Sequence, residues 1–163
     1  ALPYVVRTGD ETHVRVVYAR GGQLIGAAEP LVGEAGVLLD ETTLSAWDGR
    51  LVANCRIQGF EGRGSGARCL AWGDGRTWEG AYLWELEDPG CIADLFVHPG
   101  RRDARAGGEI LRLTPPWEGE VRAEVVSSLG DGAFGYSDVA FTGDEAVVVF
   151  ERDRGLWEAA ASL

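Results

Sequence analysis

The sequence predicts an all-β chain, a β-propeller of about three to four four-stranded antiparallel blades at roughly 40 to 50 residues per blade. Three observations carry that expectation. Short runs of strand character follow one another along the chain, 24 glycines and recurrent turn signals separate them, and turn-bearing segments repeat. In order, the runs are HVRVVYA, QLIGAAEP, TTLSAW, LVANCRI, ARCLAW, IADLFVH, EILRLT, EVRAEVVSS, YSDVAF and AVVVFER. They are strand-length, and none sustains a helical period. Only the tail, GLWEAAASL, carries a helix-like pattern.

The turns TGD, ARGG, WDGR, GDGR, HPG, LGDG and TGDE recur at short, fairly even spacing, the mark of a sandwich, barrel or propeller. Repetition selects the propeller. AWDGRLVANCRI and AWGDGRTWEGAYLW each place an Asp-Gly-Arg turn after a strand, and SSLGDGAFGYS offers a third Gly-Asp-Gly turn. Residues 1–163 read as a single propeller fragment. A closed ring has at least about four blades, so a chain of three needs a partner.

Composition narrows the partners. All 15 basic residues are arginine, and 26 acidic residues bring the net charge to -11. That field repels nucleic acid and anionic membrane surfaces. A small anion is admitted only where arginines converge. No window approaches the roughly 18 to 20 consecutive apolar residues of a membrane-spanning helix, and ALPYVVRTGDETH lacks the regions of a signal peptide. The chain begins with Ala1 and has no methionine, which suggests a processed or excised chain. Cys55, Cys69 and Cys91 form no CxxC and are expected to be buried small hydrophobes. A cross-strand disulfide between Cys55 and Cys69 stays open as an alternative. His13 and His98 are expected at the surface, and no metal or cofactor is called for.

Three segments carry a resemblance. LLDETTLSAWDGRLVANCR (38–56) sets Asp40, Glu41, Gly49, Leu51, Asn54 and Arg56 in one register. AWGDGRTW (71–78) has the length and ending of the turn SxDxGxTW, with Ala71 and Gly73 in place of the serine and the aspartate. GYSDVAFTGDEAVVVFE (135–151) opens on Gly135, Tyr136, Ser137 and Asp138 and closes on Glu151. In this order they resemble the second half of bacterial sialidases, six-bladed propellers that remove terminal sialic acid from glycans and carry such turns as Asp-boxes.

The resemblance implies a set of roles. Sialic acid carries a carboxylate on its anomeric carbon, so a neutral phenol is a better nucleophile than the usual carboxylate. Tyr136 holds that position, with Glu41 as the base that draws off its proton. Three arginines hold the substrate carboxylate in this family, because planar guanidinium forks suit it. Arg56 matches the second, Arg122 is the candidate for the third with Arg105 behind it, and Glu151 would orient the first. The first arginine itself, in an Arg-Ile-Pro motif, and the acid/base aspartate are not found; Asp10 and Asp40 sit in other segments.

The implied partners are a sialylated glycan and either an N-terminal half or a second copy of the chain, in a secreted or cell-surface setting. The alternative is a non-catalytic glycan- or protein-binding partial propeller that self-associates. In the plain structural reading Tyr136 is a strand tyrosine and Arg122 an ordinary solvent-facing arginine.

Overall fold

The computed structural model describes residues 1–9, 11–34, 36–59, 67–83, 106–142 and 145–162. The predicted strand IADLFVH and turn HPG, together with Asp10, Cys91, His98 and Arg105, lie outside them. The described chain forms three four-stranded antiparallel sheets.

The first sheet contains β1 (Leu2–Thr8), β2 (Glu11–Arg20), β3 (Gln23–Ala27) and β4 (Leu31–Val32). Along β2 the alternation predicted by period-two patterning is plain: Thr12, Val14 and Val16 are buried, while His13, Arg15 and Val17 are half-buried. Gly21 and Gly22 both take positive φ, 56° and 78°, so a two-residue loop twists with the strands it joins.

The second sheet is a meander of β5 (Leu38–Trp47), β6 (Arg50–Gly59), β7 (Arg68–Gly73) and β8 (Glu79–Leu83). Asp48 and Gly49 make its first turn with φ of 48° and 75°, the geometry that the WDGR signal calls for. This sheet is covered on both faces. Leu39, Cys55, Ile57 and Cys69 pack with Val14 and Leu31 of the first sheet. Val52, Leu70 and Trp72 are buried on the opposite face. Each fully buried Leu, Ile or Val contributes about 1.5 to 3 kcal/mol. A single 3₁₀ turn, Pro116–Glu118, leans on the same sheet, with Trp117 edge-on to Trp47 at 5.2 Å.

The third sheet joins β9 (Ala106–Leu113), β10 (Ala123–Thr142), β11 (Glu145–Arg152) and β12 (Gly155–Ser162). The runs EVRAEVVSS and YSDVAF, read as two strands, are one strand of 20 residues. β10 serves two ladders in turn, pairing β9 through Ala133 and β11 from Phe134 onward. The LGDG signal is therefore not a turn. It falls inside β10, where the register shifts on either side of Gly130 and Gly130 takes φ of 93°. The tail is a strand too: β12 pairs with β11 from Arg152↔Gly155 to Glu145↔Ser162. Eight residues gain more from a full ladder of hydrogen bonds than from their modest helix propensity. Ile110, Leu129, Val148, Phe150 and Ala161 make a separate core for this sheet.

Candidate functional site

Glu41 and Arg56 are brought together by a β-bulge. In the β5–β6 ladder, Leu39 pairs with Ile57 and Thr42 with Cys55, so Asp40 and Glu41 share the single residue Arg56 as their opposite. A two-against-one bulge turns consecutive side chains to different targets. Glu41 Oε2 accepts from Arg56 Nη1 at 2.9 Å, and Asp40 Oδ2 accepts from Arg7 Nη2, also at 2.9 Å. Arg7 reaches Gln58 Oε1 as well, at 3.2 Å. The Glu41–Arg56 pair is largely covered, with 28% and 25% of the two side chains exposed. Arg56 Nε is buried without a hydrogen-bond partner among the described residues. Arg68, directly opposite Arg56 on β7, is fully buried.

Tyr136 and Glu151 stand at a second bulge. Phe134 pairs with Arg152 and Ser137 with Phe150, so Gly135 and Tyr136 together oppose Glu151. Here the outcome is open. Tyr136 is 50% exposed, and Glu151 is exposed beside it. The glycine before the tyrosine thus occupies the extra position of the bulge.

The two pairs stand in different sheets. β5 packs on β1, β2 and β6, whereas β10 packs on β9, β11 and β12. Arg122 lies just before β10, its side chain 78% exposed and its nearest charged neighbour Glu120 at 4.0 Å. Two neighbours of the site, Arg7 and Arg152, carry no obvious sequence signal. Arg7 forms the second ion pair of the first bulge, with Asp40, and Arg152 clamps the third sheet. Arg152 Nη1 donates to the Leu129 carbonyl at 3.2 Å, and its guanidinium stacks on Trp157 at 4.1 Å.

The turn at 74–77 is held by an aspartate one place later than the SxDxGxTW pattern puts it. Asp74 Oδ1 accepts from the Arg76 and Thr77 N–H groups at 2.8 and 3.1 Å, and these bonds hold its carboxyl below the usual aspartate range. A Cβ at position 73 would meet the Thr77 carbonyl oxygen at 1.9 Å, so only glycine fits there. The Tyr18 hydroxyl donates to the Gly75 carbonyl, and Trp78 Nε1 to Glu29 O at 3.0 Å. Cys55 and Cys69 face each other across β6 and β7 as buried free thiols, and burial pushes Cys55 up to about 11.

No protein-family model matches the chain, and no curated protein matches it in sequence. Among solved structures it is similar to the Trypanosoma rangeli sialidase in complex with the inhibitor DANA, with a TM-score of 0.51 and 18% identity. The fold is sialidase-like. The match covers 99% of this chain and 29% of that protein, so three sheets here correspond to under a third of its length. At this identity the likeness speaks for the all-β, partial-propeller architecture alone.

Proposed function

We propose that this chain is the nucleophile-bearing part of a sialidase-type propeller, able by itself to take sialic acid onto its tyrosine from a leaving group that needs no proton, and hydrolysing terminal sialic acid with retention when further blades supply the acid. The observation that supports this reading is the pair of matching bulges. One holds an arginine fork 2.9 Å from a carboxylate; the other presents an exposed phenol opposite a second carboxylate. Arg56 receives the substrate carboxylate, which takes the place of Glu41 on the fork. Glu41, released, becomes available as a base. The phenol oxygen of Tyr136 attacks the anomeric carbon, the bond to the leaving oxygen breaks, and water later releases the sugar from the tyrosine. The proton for the leaving oxygen has to come from an acid outside the roles assigned to this chain. Arg122 fits the third arginine position and Glu151 the orienting carboxylate.

A sialosyl fluoride tests this directly, because fluoride departs without protonation and bypasses the missing acid. The purified chain is expected to release fluoride, and Tyr136→Phe to lower the rate by about 100-fold or more. An aryl sialoside should turn over far more slowly. Equal fluoride release by both proteins would sink the nucleophile assignment. Sialoside binding with no fluoride release from either would establish the second reading, a glycan-binding module.

A further inference from the structure

The two Asp-Gly-Arg turns that repeat in the sequence meet in space. Both lie at the same end of the second sheet, one joining β5 to β6 and the other β7 to β8. Between them is a cleft of about 420 Å³ lined by Tyr18, Leu51 and Gly75, by Asp74, and by the arginine of each turn, Arg50 and Arg76. Convergence of arginines is the condition that a chain of net charge -11 must meet to hold a small anion. At the first convergence each guanidinium is held by a carboxylate at 2.9 Å, Arg7 by Asp40 and Arg56 by Glu41. At the second the ion pairing is looser, Arg50 to Asp48 at 3.9 Å.

Its chemistry is specific. Arg50 is fixed from behind, its guanidinium stacked over Trp117 at 4.5 Å, so part of the ordering cost of binding is already met. Its acidic neighbour Asp48 is 3.9 Å away, and both side chains are exposed, a contact that a ligand displaces at little cost. Asp74 turns its carboxylate into its own loop, onto the Arg76 and Thr77 N–H groups. The Arg76 backbone holds the turn from the other side, its carbonyl accepting from Glu29 N at 2.8 Å, while its exposed side chain lies near enough to the Asp74 carboxylate to stabilise that charge. Tyr18, Ala46 and Leu51 give the cleft an apolar wall. Two guanidinium forks above an apolar wall suit a ligand with a carboxylate on one side and a C–H face on the other.

We infer that the twin Asp-Gly-Arg turns form a binding site for the carboxylate of an acidic monosaccharide, separate from Glu41, Arg56 and Tyr136. The site stands whether or not the chain takes part in hydrolysis. Titration of the full chain with glucuronate, glucose and inorganic phosphate, followed by calorimetry and tryptophan fluorescence, tests it. Glucuronate is expected to bind with a Kd on the order of 1 mM and to perturb tryptophan emission, and glucose not to bind. Arg76→Ala, which keeps the backbone bonds of its turn, should weaken glucuronate by about 10-fold, as should Arg50→Gln. Arg112→Ala, an exposed arginine of the third sheet, should leave it unchanged. Failure of glucuronate to bind overturns the site. So does binding that Arg56→Gln abolishes while the turn variants keep it, and phosphate binding as tightly as glucuronate would overturn the sugar class.

Discussion

The same backbone device appears twice in this molecule with opposite results. At the bulge in the second sheet, two acidic side chains stand against one arginine, and both carboxylates are taken up by guanidinium groups at 2.9 Å. At the bulge in the third sheet, a glycine and a tyrosine stand against one glutamate, and both the phenol and the carboxylate face outward. Surroundings make the difference. The second sheet is covered on both faces, so any charge placed in it needs a partner. The third sheet packs its own core on one side and leaves Tyr136, Val149 and Leu156 exposed. A bulge re-aims a side chain; burial decides whether that side chain is then locked or available.

Chemical modification should show the largest contrast between the two regions. Burial raises the Cys55 thiol to about 11, and Cys55 pairs with Thr42, immediately after the bulge. At about pH 8 its thiolate population falls roughly 100-fold or more below that of an ordinary cysteine, so a thiol reagent should leave it untouched in the native chain. A tyrosine acylating reagent should modify Tyr136 readily under the same conditions. Peptide mass mapping reads both. Rapid labelling of Cys55 would mean that the second sheet opens, and the contrast between closed and open bulges would collapse.

A smaller but still clear effect is expected in stability. Arg56→Ala leaves the Glu41 carboxylate unpaired in a largely covered place and should cost about 2 kcal/mol, less than a fully buried pair because a quarter of each side chain sees water. Tyr136→Phe removes only an exposed hydroxyl and should change stability by less than about 0.5 kcal/mol. Urea unfolding followed by tryptophan fluorescence measures both. A Tyr136→Phe cost as large as that of Arg56→Ala would show that the phenol is part of the fold rather than free for chemistry.

The sheets were legible where local chemistry agreed with the tertiary result. Period-two burial in β2 and the Asp48-Gly49 hairpin follow from the residues themselves. LGDG misleads as a turn signal because glycine serves a register shift as well as a reversal, and the long β10 absorbs it. The AAAS tail misleads because the partner strand, which sequence cannot place, outweighs helix propensity. Glu41 and Arg56 were readable as members of one register with the WDGR turn but not as partners of each other, because the resemblance joins Glu41 to Tyr136 and Arg56 to the substrate. Arg7 is not, because its partner Asp40 lies 33 residues away on another sheet and nothing in either segment announces the contact. The meeting of Arg50 with Arg76 was half-visible: the repeated Asp-Gly-Arg could be seen, and the strand order that puts both turns at one end could not.

The smallest effect sharpens the comparison between the sheets through their turns. Both use a two-residue hairpin with positive φ at both positions, but the second sheet fills it with Asp48-Gly49 and the third with Asp153-Arg154, at φ of 51° and 66°. A side chain at such φ costs an L-residue about 1 to 2 kcal/mol, and glycine gives back part of that through its freer unfolded state. Arg154→Gly should therefore stabilise the chain by about 0.5 to 1 kcal/mol, a rise in Tm of about 1 to 4 °C. Gly49→Ala should destabilise by a similar amount, since a Cβ there meets nothing within 4 Å and only the backbone strain is felt. Calorimetry of the two variants gives the test. Equal and opposite shifts mean that both turns obey the same local energetics and that the sheets differ only in what covers them. A neutral or negative Arg154→Gly would instead show that the Arg154 side chain stabilises the third sheet by an amount that offsets its strain, and the openness of that sheet would then extend less far than its exposed tyrosine suggests.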